Sequence, residues 1–133
     1  MPQVDVERIV ADAVAALNRS DWDAALKHAS PDVVFDTSRT LGEWRGVYKG
    51  AEDVKRLWRE FAAPWVTVRR KIDEVIEGDG GAVTPITVHV EGREGIEVRI
   101  RTSWVWAIRD GAVTQMTVYN DLSDALAAAG LRR

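Results

Sequence analysis

Residues 102–120 read TSWVWAIRDGAVTQMTVYN, and the pattern of this stretch decides the fold. Apolar and polar side chains alternate on both sides of Asp110 and Gly111, which is typical of two β-strands that each bury one face. An aspartate followed by a glycine is a strong signal for a tight turn between such strands. The stretch therefore predicts an antiparallel hairpin with Trp104 and Trp106 on its apolar face.

Two pairings of this hairpin are compatible with the sequence. A three-residue connection pairs Ile108 with Ala112, and it sets Trp104 opposite Met116. A two-residue turn would shift the pairing by one residue and set Trp104 opposite Thr117. We favour the first pairing because it joins apolar to apolar side chains. It places the even-numbered side chains of both strands on one face.

A second hairpin is predicted just upstream, in the segment VHVEGREGIEV. A five-residue loop over 91–95 would pair Val90 with Ile96 and make one face of the hairpin apolar. On the other face His89 would lie opposite Glu97, which is more typical of a surface pair than of a catalytic group. The two histidines of the chain lack the spacing of a metal-ligand pair, so we expect no metal site.

The segments before these hairpins show first helical and then extended patterns. Apolar residues at helical spacing predict a helix over residues 4–18, a second between Ser20 and Pro31, and a third that begins at Gly50. The intervening PDVVFDTS predicts a short strand. After Pro64 the period falls to two, and the strands predicted there are 66–77, 82–90 and 96–120. Helices followed by antiparallel strands predict an α+β fold with helices on one face of the sheet.

The composition excludes several classes of protein. With 133 residues the chain fits one domain, which we predict to span residues 1–133. It has no cysteine, which excludes disulfides, thiolate metal sites and cysteine nucleophiles. No run of about 18 apolar residues and no signal-peptide centre is found, so we expect a cytoplasmic protein that does not enter a membrane. The net charge of -3, with scattered Lys and Arg, argues against a nucleic-acid partner.

Four segments carry a resemblance to a known family. They are LNRSDWDAALKHASPDVVFDTS (17–38), GVYKG (46–50), WVWAIRDGAV (104–113) and VYNDLSDALAAAGL (118–131). With the order of predicted elements, the chain resembles the SnoaL-like branch of the nuclear transport factor 2-like (NTF2-like) superfamily, which includes ketosteroid isomerases and polyketide cyclases. The resemblance implies a cone, in which a strongly bent mixed sheet wraps around the N-terminal helices and encloses an apolar pocket. It also implies a homodimer.

In a cone of this kind the inner face of the sheet packs on helices at the closed end and lines the pocket at the mouth. The candidates for ligand contact therefore come from the sheet, the third helix and the loop before it. They are Trp104, Trp106, Met116, Val118 and Asn120 on the sheet, Trp58 and Phe61 on the helix, and Trp44 and Tyr48 in the loop. The sequence leaves open whether Trp104 and Trp106 contact a ligand or only fill the core.

Carboxylates near the pocket are the candidates for catalysis without a cofactor. Burial in an apolar pocket raises the pKa of a carboxyl group toward neutral pH, where it can exchange protons. Asp36, Glu43 and Asp121 are the acidic residues near the inner face. Alignment with the ketosteroid isomerases sets Thr37 at the position of their proton-shuttling aspartate and Asp36 one residue before it. As alternatives, Asp36 would stabilise a turn and Asp121 would cap the last helix.

On the same alignment, we do not expect steroid isomerase activity. Ala13 and Trp104 stand where those enzymes carry their two oxyanion donors, and neither can donate in the same way. An epoxide-hydrolase chemistry would need a cation as well as carboxylates. Arg70 could supply it if its strand is unbulged, because it would then point inward and pair with Asp36 or Asp121. A bulge would turn Arg70 to solvent instead.

These features together predict binding of a small hydrophobic, ring-bearing molecule in the cone. Acid–base chemistry of the isomerase, cyclase, dehydratase or epoxide-hydrolase type could accompany binding, with no cofactor. The alternative is a ligand-binding or dimerisation module of the same fold without catalysis.

Overall fold

A computed structural model describes residues 5–131 of the chain. The helices within this range are α1 (Val6–Asn18), α2 (Trp22–Ala25), α3 (Ala51–Ala62) and α4 (Leu122–Ala128). The strands are β1 (Ala29–Asp36), β2 (Val47–Lys49), β3 (Thr67–Ile72), β4 (Ile76–Gly78), β5 (Gly81–Glu91), β6 (Glu97–Arg109) and β7 (Ala112–Tyr119). Residue 4, where the first helix is predicted to begin, lies outside the described residues.

All of these strands belong to one mixed sheet. Their order is β2-β1-β7-β6-β5-β3, and β4 pairs with β5 beside β3. The β1 and β7 strands are parallel, whereas the other neighbours are antiparallel. Helices α1 and α3 pack on the inner face of this curled sheet, at β3 and β1 respectively. The predicted α+β fold with a mixed sheet and N-terminal helices is thereby confirmed.

The predicted pairing of the β6–β7 hairpin is wrong, although the predicted face is right. Asp110 and Gly111 both have positive φ, 53° and 80°, which is the geometry of a two-residue type I′ turn. This turn shifts the pairing by one residue, and a bulge in β7 at Thr114 shifts it by one more. Two shifts of one residue preserve the alternation of side chains. Even-numbered residues of both strands therefore share the inner face beyond the bulge, as in the pairs of Trp104 with Val118 and of Trp106 with Met116.

The predicted pairing of the β5–β6 hairpin is also wrong by two residues. Strand β5 runs one residue further than predicted, to Glu91, and β6 begins one residue later than predicted, at Glu97, so Val90 pairs with Val98. His89 consequently lies opposite an arginine and diagonal to Glu97, with 4.0 Å between its Nε2 and the Glu97 Oε2. The apolar inner face is again preserved, because a shift of two residues leaves every side chain on its predicted side.

The second helix is shorter than predicted, because it begins one residue later and ends well before Pro31. Ser20 has a φ of 56°, and Asp21 instead accepts a hydrogen bond from the Ala24 backbone N–H at 3.1 Å. The helix ends at Ala25, and Ala29 already begins β1.

Apolar side chains are buried on both faces of the sheet. The larger core lies inside the cone, where residues such as Val10, Leu17 and Trp58 of the helices meet the sheet. A smaller core lies on the outer face, where α4 packs Ala125 and Leu126 against β5 and β6. Part of the outer face that was expected to be polar surface is therefore covered, as illustrated by Ser103, which is only 3% exposed. Between residues 5 and 131 no helix has the length and apolar character needed to cross a membrane.

Candidate functional site

A cavity of about 180 Å³ lies between α3, the loop over residues 37–46 and the inner face of the sheet. Its walls come from β1, α3 and the inner strands, so the strand order and pairings decide which side chains meet there. Seven of the predicted site residues line it: Trp44, Trp58, Phe61, Arg70, Trp104, Val118 and Asn120. The structure places the other five outside this lining: Asp36, Tyr48, Trp106, Met116 and Asp121.

Aromatic rings form much of the cavity wall. The Phe35 ring meets the rings of Trp58 and Trp104 edge-on, with centroids 5.5 and 5.2 Å away. On the side of the loop, the Trp44 and Phe61 rings meet edge-on at 6.3 Å. Edge-to-face contacts at these distances are favourable and hold each ring in one orientation. The wall therefore contains two groups of aromatic rings in contact, one around Phe35 and one on the side of the loop.

Trp104 and Trp106 have different environments. Their rings stack with centroids 5.7 Å apart. Trp104 lines the cavity, whereas Trp106 lies behind it, 1% exposed, and its Nε1 donates to Thr84 Oγ1 at 2.9 Å. Met116, which pairs with Trp106, is buried in the same core. One of the two tryptophans therefore faces the cavity and the other belongs to the core.

Hydrogen bonds inside the 37–46 loop hold it against the cavity. Thr37 Oγ1 donates to the Trp44 carbonyl at 2.7 Å and accepts from the Gly46 N–H at 3.0 Å. Tyr48 donates its hydroxyl to the same Trp44 carbonyl at 2.9 Å. Thr40 Oγ1 donates to the Thr37 carbonyl at 2.7 Å. Tyr48 thus supports the loop that carries Trp44, and its own side chain lies outside the lining.

The two candidate aspartates bind neighbouring serines. Asp36 Oδ1 accepts from the backbone N–H and hydroxyl of Ser38, at 2.8 and 2.6 Å. Asp121 Oδ1 accepts from the same two groups of Ser123, at 2.8 and 2.9 Å, at the N-terminus of α4. These are the turn and helix-cap arrangements that were the alternatives to catalysis. Across residues 5–131, no three His, Asp or Glu side chains lie close enough together to hold a metal ion.

Arg70 is buried because β3 is an unbulged strand. Its pairing with β5 is continuous from Thr67 to Ile72, so alternation turns Arg69 to solvent and Arg70 inward. The Arg70 side chain is only 6% exposed. Asn18, the last residue of α1, fixes its backbone from the other side: Asn18 Oδ1 accepts from the Arg70 N–H at 2.8 Å, and Asn18 Nδ2 donates to the Arg70 carbonyl at 2.9 Å.

The guanidinium of Arg70 has an aromatic neighbour and no carboxylate partner. Its central carbon lies 5.9 Å from the centroid of the Phe61 ring. Within the described part of the chain, no side chain forms an ion pair or a hydrogen bond with the guanidinium. Burial lowers the pKa of Arg70 to about 10. The group therefore remains a cation at neutral pH.

Sequence reasoning misses several residues of the wall, and Phe35 and Thr102 are two that the strand pattern could have identified. Phe35 follows buried Val33 at the period of a strand, and this pattern alone would place it on the inner face of β1. Thr102 has the same parity as Trp104 on β6, and it also lines the cavity. In both cases the signal is the alternation of the strand.

Comparison with known proteins identifies the family. The family model for the SnoaL-like domain matches residues 10–116. The chain belongs to the SnoaL-like domain family. No curated protein sequence matches this SnoaL-like chain.

Solved structures that resemble this SnoaL-like chain share its fold at low sequence identity. An NTF2-like protein of unknown function from Burkholderia pseudomallei is 20% identical, with a TM-score of 0.74, over 91% of this chain and 94% of its own. TerC, co-crystallised with polyporic acid, is 21% identical, with a TM-score of 0.77, over 94% and 95%. A Mycobacterium tuberculosis protein in complex with estradiol-17β-hemisuccinate is 17% identical, with a TM-score of 0.75, over 91% and 97%. At these identities the likeness shows a common fold.

Proposed function

We propose that this SnoaL-like chain binds a small, mainly apolar, ring-bearing molecule in the cavity beside α3. The observation that carries the proposal is the aromatic wall of that cavity, formed by Phe35, Trp58 and Trp104 with Trp44 and Phe61 on the loop side. Its volume of about 180 Å³ compares with about 150 Å³ for an apolar cavity that binds benzene. One or two fused rings match this space.

The chemistry of the lining favours binding over proton abstraction. Within the described residues, Arg70 is the one lining side chain that carries a charge, and at neutral pH it stays protonated. A protonated guanidinium stabilises negative charge but does not act as a general base. The Asp36 carboxylate would have to leave Ser38 before it could reach a ligand. We therefore propose a binding module in the first place, with acid–base catalysis by Asp36 as the weaker alternative.

The similar structures support a small-molecule ligand. TerC was crystallised with polyporic acid, and the Mycobacterium tuberculosis protein with estradiol-17β-hemisuccinate. Both proteins have this fold over nearly the whole chain. These ligands support the proposal that this chain also binds a small ring-bearing molecule.

A pair of tryptophan variants tests the proposal. Trp44 and Trp65 are both half-buried, but only Trp44 lines the cavity. Calorimetric titration of the wild type with mono- and bicyclic aromatic compounds should identify binders. For such a binder, Trp44→Ala should weaken affinity at least about tenfold, equivalent to ~1.4 kcal/mol, and Trp65→Ala should leave it within about twofold. Equal effects of the two variants, or no binding across the panel, would contradict the assignment of the cavity.

We also propose that the chain forms a homodimer through the outer face of β6. Glu97, Arg99 and Arg101 are exposed there, beside half-buried His89. A face that carries both signs of charge can meet its own two-fold copy with arginine opposite glutamate. Light scattering should give the mass of two chains at micromolar concentration, and Arg99→Glu with Arg101→Glu should reduce it to one. A wild-type mass of one chain would overturn the proposal.

A further inference from the structure

The Arg70 guanidinium is a charged donor group without an acceptor. It is nine-tenths buried and belongs to the cavity wall, yet no carboxylate or carbonyl of the described residues accepts from it. A buried cation usually has an anionic partner, because desolvation without one is unfavourable. The aromatic face of Phe61 compensates only in part. The missing partner has to come from outside the described chain.

The threonine hydroxyls of the cavity wall are already hydrogen-bonded within the protein. Thr37 and Thr102 both use their hydroxyls within the protein, with Thr102 Oγ1 donating to the Ile86 carbonyl at 2.8 Å and accepting from Trp104 Nε1 at 3.1 Å. The Nε1 of Trp58, in contrast, is buried without any acceptor. That nitrogen is closed off from the cavity. Among the described residues, the donor left over at the cavity is therefore the Arg70 guanidinium, and a ligand that supplies an acceptor would complement it.

We propose that the ligand is a ring-bearing organic acid whose carboxylate pairs with the guanidinium of Arg70 while its rings pack against the aromatic wall. This inference rests on the proposed binding function and names the chemical class of its ligand. A guanidinium can donate two parallel hydrogen bonds to one carboxylate, and such charge-assisted pairs are stronger than neutral hydrogen bonds. The two hydrogen bonds from Asn18 hold the Arg70 backbone in place, so the cation is oriented before the ligand arrives.

The experiment compares an acid with its neutral amide. 2-Naphthoate and 2-naphthamide have the same rings and nearly the same shape, and they differ in charge at neutral pH. In calorimetric titrations of the full chain at pH 7, the wild type should bind 2-naphthoate at least tenfold more tightly than 2-naphthamide. The comparison needs no variant, so it does not depend on the folding of a mutant.

Variants then assign the preference to Arg70. Arg70→Met should bind the two compounds with affinities within about twofold of each other, and Arg70→Lys should keep part of the preference because the charge remains. Arg69→Met is the matched control, since Arg69 is the exposed neighbour on the same strand, and it should retain the wild-type preference.

The outcomes separate the two proposals. If the wild type binds the amide as tightly as the acid, the acid class is wrong and the cavity remains an aromatic binding site. If Arg70→Met keeps the full preference for 2-naphthoate, the proposed pairing of the carboxylate with Arg70 is wrong, and the cavity remains an aromatic binding site. If neither compound binds, and neither do the corresponding benzoate and indole-carboxylate pairs, both the acid class and the proposed binding function are overturned.

Discussion

Replacement of Arg70 by methionine should make the folded protein more stable. Desolvation lowers the pKa of this side chain to about 10, and no other cause contributes to that change. A base with a lower pKa in the folded state destabilises that state wherever the unfolded side chain is protonated. The destabilisation is fully present below about pH 10 and is lost as pH rises from there through the higher pKa of the unfolded side chain. At neutral pH it therefore acts at full strength.

The size of the effect follows from the structure. One pKa unit corresponds to about 1.36 kcal/mol, so the fall in the pKa of Arg70 amounts to a cost of about 3 kcal/mol. Methionine is unbranched and can fill the space of the Arg70 stem beside Phe61. Loss of the contact between the cation and the Phe61 ring removes about 1 kcal/mol of stabilisation. The expected net gain is about 2 kcal/mol in the free energy of unfolding, or a rise of roughly 6 °C in Tm.

Urea denaturation at pH 7 without ligand measures this gain. Arg69→Met should change the free energy of unfolding by less than about 0.5 kcal/mol, because Arg69 is exposed. A loss of more than about 1 kcal/mol in Arg70→Met would refute the reasoning, because removal of one member of a compensated buried pair is strongly destabilising. Addition of 2-naphthoate should raise the Tm of the wild type and leave that of Arg70→Met nearly unchanged.

Three further substitutions test the core and the site. Gly81→Ala should lower the free energy of unfolding by at least about 3 kcal/mol in urea, because an added Cβ would lie 1.7 Å from the Trp106 carbonyl oxygen; a loss below about 1 kcal/mol would contradict this contact. Thr84→Val should lower the free energy of unfolding by about 1–3 kcal/mol, because it leaves Trp106 Nε1 buried without an acceptor. Thermal unfolding measures this loss, and an unchanged Tm would disprove the hydrogen bond. Asp36→Asn should leave the affinity for 2-naphthoate within about twofold, because the Asp36 side chain binds Ser38 outside the cavity wall. A large loss of affinity would show that Asp36 contributes to the binding site.

The sequence predicts which face of the sheet is buried, but it does not predict the pairing of the strands. Trp104 and Met116 share the inner face as expected, because alternation along a strand is a local property. The partner of Trp104 is Val118, since both the turn at Asp110 and Gly111 and the bulge further along β7 move the pairing. A bulge depends on how the whole sheet curls, and no residue near it signals its place.

The candidate site was predictable to a similar extent. The periodicity of β3 indicates that Arg70 points inward, but only the continuous pairing with β5 excludes a bulge. Family resemblance sets Thr37 at the position of a catalytic aspartate, and Thr37 does line the cavity. The unpaired state of Arg70 was not predicted, because the sequence offered Asp36 as a partner. Asp36 alternates with the inward-facing Phe35 on β1, and it binds Ser38 instead.

The stacked pair of Trp104 and Trp106 provides an intrinsic spectroscopic probe of the cavity. Two indoles with centroids 5.7 Å apart and planes inclined by 28° couple their electronic transitions, which produces a paired signal of opposite signs in circular dichroism. One member of the pair touches the cavity and the other is anchored to Thr84 in the interior. Any occupant that tilts the outer indole changes the angle between the transition dipoles while the inner one stays fixed. Occupancy can then be followed without a label, in the unmodified chain.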